Sequence, residues 1–172
     1  MKYLLAALAV ALVAAVTASA GSPPKLLTFG TGDAFVNGDK AATFNDAGEY
    51  GGAYRSKSAA TKLSAVHLSF VNDRAVGGGA PRFSIPIDEN NDKIVDAYAF
   101  MDVNGCGSST VSTESSTCQV FYKAEVHSNW AAFVAAHPTW KLAKKDSGEK
   151  TQPFIIADVE GDYLMHGIVL AY

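Results

Sequence analysis

The chain has 172 residues, with 17 acidic and 14 basic side chains and a formal net charge of −3. A mildly acidic chain without a dense group of lysine and arginine lacks the electrostatic footprint by which proteins hold nucleic acid, so no nucleic-acid partner is expected. The length suits a single domain that can bury a sizeable core.

The first predicted element is an N-terminal signal peptide over residues 1–20. Lys2 supplies a positive charge, residues 3–16 form an apolar run, and small residues follow up to Ala20. The alternative is an uncleaved anchor, but the apolar run falls short of the roughly 20 residues that a membrane span needs. Cleavage after Ala20 would leave residues 21–172 as a single secreted β-domain with no membrane attachment.

Short stretches of alternating apolar residues dominate the rest of the chain. Gly, Pro, Asn and Ser separate the predicted strands, which cover residues 63–71, 82–87, 119–126, 154–157 and 163–172. Short strands with this punctuation predict a mainly β fold, an antiparallel β-sandwich that is jelly-roll or Ig-like in character. Between residues 31 and 61 both irregular strands and loop remain open.

Two of these stretches predict which side chains share a face. In the first stretch, Val66, Leu68 and Phe70 alternate with His67 and Ser69. The stretch 119–126 is expected to place four side chains on one face, namely Val120, Tyr122, Ala124 and Val126.

A loop rich in Asp and Asn lies between two of the predicted strands. Side-chain oxygens at Asp88, Asn90, Asp92 and Asp96 occupy positions 1, 3, 5 and 9 of this loop, the alternation by which a chain wraps a hard divalent cation. The backbone carbonyl of Ile94 and water would complete the shell. The sequence therefore predicts a calcium site, and the alternative is a plain polar hairpin turn, where Asp and Asn are favoured anyway.

The spacing in this loop resembles the D-x-N-x-D-G-x-x-D calcium loop of integrin-type propeller repeats and the first half of an EF-hand loop. Lys93 stands where those loops carry glycine, and Ala99 stands where an EF-hand carries its bidentate glutamate, so an EF-hand proper is excluded. The resemblance implies calcium as the ligand, with a positive charge beside the cation.

The run Gly-Gly-Gly-Ala-Pro-Arg-Phe over residues 77–83 stands just before the loop. Together with the Asp-rich turn and the later Cys pair, it resembles uncharacterised secreted bacterial β-proteins that carry a GGGSPRF-type motif. The resemblance implies a secreted β-domain and no particular chemistry. Arg82 is expected either to pair with a nearby acid or to lie on the surface of a strand.

Cys106 and Cys118 are the two cysteines of the chain, and in an oxidising compartment such a pair is most simply one disulfide. Eight of the eleven residues between them are Ser or Thr, which predicts a hydrophilic loop. The flanking apolar runs 97–103 and 119–126 are then expected to be neighbouring strands, stapled at the base of that loop.

One short helix is predicted after the last of these runs. Ser128 or Asn129 can cap a segment that begins at Trp130 and is stopped near His137 by Pro138. Trp130, Phe133 and Val134 are spaced as a core-facing stripe. The alternative for Trp130, and for Trp140 further on, is an aromatic platform for sugar rings.

Catalytic patterns are weak in this sequence. No G-x-S-x-G elbow or phosphate-binding glycine loop is present, and no two histidines stand at H-x-H or H-x-x-x-H spacing among His67, His127, His137 and His166. Four acids, Asp102, Glu125, Asp158 and Glu160, could supply a carboxylate pair for glycoside cleavage, but acids are common in secreted β-proteins.

The expected function is a non-catalytic binding or structural role outside the cell or at its surface, with calcium bound. The expected partner is an extracellular ligand such as a carbohydrate or a cell-surface component. The alternative is a small secreted hydrolase, acting for example on glycans, in which calcium is structural.

Overall fold

A computed structural model describes residues 25–55, 61–74, 78–143 and 152–172. The predicted signal peptide, residues 1–20, lies outside these ranges. Within them, no helix has the length and hydropathy that crossing a membrane would require.

Most of the regular secondary structure in the described chain consists of β-strands. In chain order these are β1 (Leu26–Gly30), β2 (Asp33–Asn37), β3 (Lys40–Asn45), β4 (Gly51–Arg55), β5 (His67–Asn72), β6 (Arg82–Asp88), β7 (Ala97–Asp102), β8 (Thr110–Ser112), β9 (Val120–Tyr122), β10 (Glu125–His127), β11 (Lys141–Leu142), β12 (Phe154–Ala157) and β13 (Gly161–Ala171). A single helical turn, α1 (Val103–Cys106), follows β7, and the longer helix α2 (Trp130–Ala136) follows β10.

The strands form two sheets in which every pair is antiparallel. One sheet has the order β1-β4-β12-β6-β7-β9-β10, with the short strand β11 pairing the end of β6, and the other has the order β2-β3-β13-β5-β8. This architecture confirms the predicted mainly β, sandwich-like fold.

The core lies between the two sheets because alternate side chains of each strand point inward. On β5, Leu68 and Phe70 are buried, as is Val66 just before the strand, so the predicted alternation is confirmed from Val66 onward. Residues Leu63–Ala65, predicted as the start of this strand, form a 3-10 turn instead. The ring of Phe70 meets that of Phe83 on β6 edge to face, with centroids 4.9 Å apart. This contact joins interior strands of opposite sheets.

The helix α2 forms as its sequence predicts. Asn129 is the N-cap, and its side-chain oxygen accepts from the backbone N–H of Ala132 at 2.9 Å. Trp130 and Phe133 are buried, and the indole N–H of Trp130 donates to the carbonyl of Leu63 at 3.2 Å. The predicted core position of Trp130 is therefore confirmed. Its indole ring is too buried to serve as a platform for sugar rings.

The predicted single strand over residues 119–126 is wrong. The chain forms a hairpin here, β9 and β10, with Tyr122 paired to Glu125. Lys123, in the turn, has a φ of 50°. Because of the reversal Val126 is 61 % exposed, so it does not share the buried face of Val120 and Tyr122.

The hydrophilic segment between the cysteines also holds more structure than predicted. Residues Thr110–Ser112 form β8, which pairs with β5 in the second sheet through Phe70 and Val111. Val111 is fully buried. One apolar side chain at the centre of a Ser/Thr-rich segment is therefore enough to add a strand to the sandwich.

The disulfide between Cys106 and Cys118 is present, with the two Cα atoms 3.7 Å apart. The disulfide joins the end of α1 to the loop just before β9. The strands on either side, β7 and β9, are neighbours in the first sheet, as the sequence predicts.

The glycine-rich run leads into β6 through a tight turn. Gly78 and Gly79 have φ values of 54° and 85°, and the Ala80–Pro81 peptide bond is cis. Arg82 then pairs with Asp158 through two hydrogen bonds of 2.5 Å each, which confirms the acid-paired alternative for this side chain.

Candidate metal-binding sites

The Asp-rich loop connects β6 to β7 at one end of the first sheet. Its base is closed by a backbone hydrogen bond from the N–H of Asp96 to the carbonyl of Ile87 at 2.9 Å. The carboxylate of Asp96 reaches back and accepts from the N–H of Glu89 at 2.7 Å. The first and last predicted ligands are thereby held at the same end of the loop.

Three of the predicted ligands accept hydrogen bonds from the backbone of the loop itself. Asn90 Oδ1 accepts from the N–H of Asp92 at 2.8 Å, and Asp92 Oδ1 accepts from the N–H of Ile94 at 2.7 Å. Asp88 Oδ2 accepts from the N–H of Lys93 at 3.0 Å. The bonds of Asn90 and Asp92, each to the N–H two residues on, are those of short Asx turns.

Two residues of the loop adopt the left-handed backbone conformation. Asn91 has a φ of 66° and Lys93 a φ of 78°. Asn tolerates this region, whereas a long side chain there costs roughly 1–2 kcal/mol. Lys93 stands at the glycine position of the resembling loops, so the chain makes the same sharp turn without the residue that suits it best.

Asp88 is the one buried ligand candidate of the loop. It is only 1 % exposed, and its Oδ1 atom has no hydrogen-bond partner. A buried polar oxygen without a partner costs about 1–3 kcal/mol. Oδ2 of the same carboxyl group accepts from the loop backbone at Lys93, so one oxygen of Asp88 is bound within the loop and the other has no hydrogen-bond partner.

The loop carboxylates are close in sequence but are not gathered into a tight triplet. Among the residues that the structure describes, three His, Cys, Asp or Glu side chains bring their ligand atoms within 4.8 Å of one another only at Glu125, His127 and His137. Ile94, whose carbonyl was expected in the shell, has a side chain that is 49 % exposed. A cation would thus have to draw Asp92 and Asp96 inward around Asp88.

Neighbouring elements hold the outer side of the loop. Glu89 accepts hydrogen bonds from the hydroxyl of Tyr122 and the ammonium of Lys123, and the bond from Lys123 is the main cause that lowers the pKa of Glu89 below its ordinary value. The side-chain amide of Asn91 donates to the carbonyl of Thr139 at 3.2 Å. The loop is therefore anchored to the β9–β10 hairpin and to the segment after α2.

A second cluster was not predicted from the sequence. Glu125 Oε2 lies 2.8 Å from His127 Nε2 and 3.0 Å from His137 Nε2. Glu125 and His127 are two apart on one strand, and that i, i+2 spacing was the available signal. His137 joins them only because α2 folds back over the hairpin. The spacing of residues along the chain does not predict this contact.

The remaining histidines form separate pairs on the second sheet. His67 lies 2.6 Å from Glu114, and His166 lies 3.1 Å from Asp73. Of the acids considered for glycoside cleavage, Asp102 caps α1 by accepting from the N–H of Gly105, and Asp158 pairs with Arg82.

Exposed aromatic rings lie on the second sheet, away from the loop. Phe35 is 59 % exposed and Phe44 is 39 % exposed, and their ring centroids are 6.3 Å apart. Phe44 also lines a polar depression of about 230 Å³ together with the acids Asp33, Asp46, Glu49 and Asp162.

No family model, characterised protein or solved structure matches this chain.

Proposed function

We propose that this chain is a calcium-binding, non-catalytic β-sandwich domain that works outside the cell. The observation that carries the proposal is Asp88, a nearly fully buried side chain whose Oδ1 atom has no partner within a loop of oxygen ligands. Calcium takes six to eight oxygen ligands, and a cation here would give the orphaned oxygen the contact that it lacks.

The rest of the loop supports the same ligand. Asp92 and Asp96 are exposed, so they can move toward a bound cation without disturbing the core. Three carboxylates and one amide suit a hard cation better than a transition metal. Calcium also tolerates irregular geometry, whereas magnesium demands a near-octahedral shell at about 2.0–2.1 Å.

Thermal unfolding at increasing calcium concentration tests the proposal. Binding to the folded state alone stabilises it by about 2.7 kcal/mol when free calcium is 100 times Kd, and this corresponds to a rise in Tm of roughly 5–10 °C for a chain of this size. Magnesium should raise the Tm less.

Asp92→Ala should abolish the calcium response, because it removes a central ligand at an exposed position outside the core. Asp39→Asn is the matched control, since Asp39 is an exposed acid in the β2–β3 turn. A Tm that calcium leaves unchanged at millimolar concentration, or raises equally in wild type and Asp92→Ala, would leave the loop as a polar turn.

Location outside the cytoplasm is supported by the leader-like residues 1–20 and by the disulfide. Expression of the full chain in a host that exports it should yield a mature protein whose N-terminal residue is Gly21. Recovery of the protein in the cytoplasm with residues 1–20 intact would contradict this part of the proposal.

The surface that suits a carbohydrate ligand is the exposed pair Phe35 and Phe44. Aromatic faces pack on sugar rings, and the polar depression beside Phe44 offers acceptors for sugar hydroxyls. Screening on a glycan array, with Phe35→Ala as the variant, tests this part. Equal profiles for the variant and the wild type would place any sugar binding elsewhere.

A further inference from the structure

The cluster of Glu125, His127 and His137 lies apart from the loop ligands and has the chemistry of a different metal. Glu125 and His127 project from the same face of β10, since residues two apart on a strand share a face. His137 is the C-cap of α2. The helix-to-strand packing therefore brings one carboxylate and two imidazoles to a single point.

The distances within the cluster are close to those of an assembled zinc shell. Glu125 Oε2 lies 2.8 and 3.0 Å from the two Nε2 atoms, and all three ligand atoms lie within 4.8 Å of one another. In a tetrahedral shell with zinc–ligand bonds of about 2.0–2.1 Å, neighbouring ligand atoms are about 3.3 Å apart. The two distances from the carboxylate to the imidazoles would each have to lengthen by only a few tenths of an ångström to admit a cation.

Packing against aromatic rings fixes both imidazoles before any metal arrives. His137 stacks on Trp140 with ring centroids 3.6 Å apart and planes inclined by 10°. His127 meets Phe133 edge to face at 5.2 Å. The two imidazole side chains are only 16 % and 13 % exposed, so little side-chain entropy is left to lose on binding.

The carboxylate of the cluster is accessible. The side chain of Glu125 is 47 % exposed, so the cluster opens to solvent on this side. A cation held by these three groups would keep a fourth position for water, the pattern of a His₂Glu zinc shell.

We propose that Glu125, His127 and His137 bind a zinc ion whose fourth ligand is water. Imidazole nitrogens select a borderline-soft transition metal and are poor ligands for calcium. This site is independent of the calcium loop, because it uses none of the loop residues.

Zinc titration of the purified full-length protein, monitored by calorimetry and by competition with a chromogenic chelator, tests the proposal. Wild type should bind one zinc ion, and His127→Gln and His137→Gln should each weaken binding by at least about 100-fold, since loss of a partner behind a ligand already costs 10–100-fold. Cobalt(II) in place of zinc should give the visible absorption of a four-coordinate site, and His127→Gln should lose it.

The matched control is His67→Gln, because His67 also pairs with a glutamate but has no second histidine beside it. Its zinc affinity should equal that of the wild type, and so should that of Asp92→Ala. Glu125→Gln gives a second variant at an exposed side chain, where folding is not at risk. Equal zinc affinity in wild type, His127→Gln and Glu125→Gln, or no binding at micromolar free zinc, would overturn the proposal and leave an ordinary ion-pair cluster.

Discussion

Lys93 holds a backbone conformation that glycine would adopt without strain. Its φ of 78° places a residue with a Cβ in the left-handed region, which costs roughly 1–2 kcal/mol, and its ammonium group adds a positive charge to the proposed calcium loop. Lys93→Gly should therefore tighten calcium binding by about three- to tenfold and raise the Tm of the calcium-free protein. Calcium titration of both proteins by calorimetry measures the first effect.

Lys93→Gln separates the two causes, because it removes the charge and keeps the strained backbone. Its calcium affinity should fall between those of the wild type and Lys93→Gly. A glycine variant that binds calcium no better than wild type would show that neither strain nor charge limits the loop.

Trp130 anchors α2 through its burial and one hydrogen bond. The side chain is 4 % exposed, and its ring lies against Phe133 with centroids 5.2 Å apart. Trp130→Ala should lower the free energy of unfolding by about 3–5 kcal/mol, the usual cost of emptying a large core position. Urea denaturation measures it. Trp130→Phe keeps most of the packing, so it should lower the free energy of unfolding by clearly less. Equal losses for the two variants would mean that the hydrogen bond to Leu63 contributes more than the packing.

At the scale of elements, the disulfide ties α1 to the start of β9. It closes a segment that also contains β8, so the reduced chain would have to order that strand without a covalent constraint. Replacing both Cys106 and Cys118 with Ser should cost about 3 kcal/mol in the chain-entropy model. Far-ultraviolet circular dichroism should keep its β-signature, while the urea midpoint falls. An unchanged midpoint would mean that the two sheets already fix this segment.

The elements that the sequence identifies are those whose pattern is local. The alternation in β5 and the Asn129 cap of α2 each specify their element within a few residues. The turn at Lys123 carries no Gly, Asn or Pro, so the hairpin there escaped prediction. In β8 a single buried Val111 does the packing, which is too little for a periodicity to register.

The same distinction between local and tertiary patterns separates the two candidate sites. The loop ligands lie within nine consecutive residues, so their spacing alone indicates a cation. His127 and His137 are ten residues apart and meet only through the packing of α2 on the hairpin. Such a contact between elements depends on the tertiary structure and leaves no local pattern.

At the scale of the whole molecule, both sites lie at one end of the first sheet. Glu89 of the loop binds Tyr122, whose ring lies 6.3 Å from that of His137. The same environment, chiefly burial of the ring, raises the pKa of Tyr122 above its ordinary value. The exposed aromatic pair, by contrast, belongs to the second sheet, so ligand binding there and metal binding would use separate surfaces.

The two sheets are also joined by the last residue of the chain. The hydroxyl of Tyr172, which follows β13, donates to the carbonyl of Arg55 at the end of β4 at 3.3 Å. Burial raises the pKa of Tyr172 to about 12, although the charge of Arg55 acts in the opposite direction. The phenol is therefore kept protonated where it links one sheet to the other.

This linkage makes stability depend on pH above the neutral range. The folded protein holds the Tyr172 proton more tightly than the unfolded chain, where tyrosine has a pKa of about 10. The contribution is complete below pH 10 and is lost as the pH rises from about 10 to about 12. It amounts to about 1 kcal/mol, because the ring is half-buried and solvent screens the remainder.

Tyr172→Phe should remove this part of the pH dependence, so that its free energy of unfolding falls less steeply between pH 10 and pH 12 than that of the wild type. Urea denaturation at several pH values in this window measures the difference. Tyr50→Phe is the matched control, since it removes a tyrosine hydroxyl from a residue that is 41 % exposed and leaves Tyr172 in place. If wild type and Tyr172→Phe lose stability in parallel, Tyr172 is not the group whose ionisation loosens the contact between the sheets.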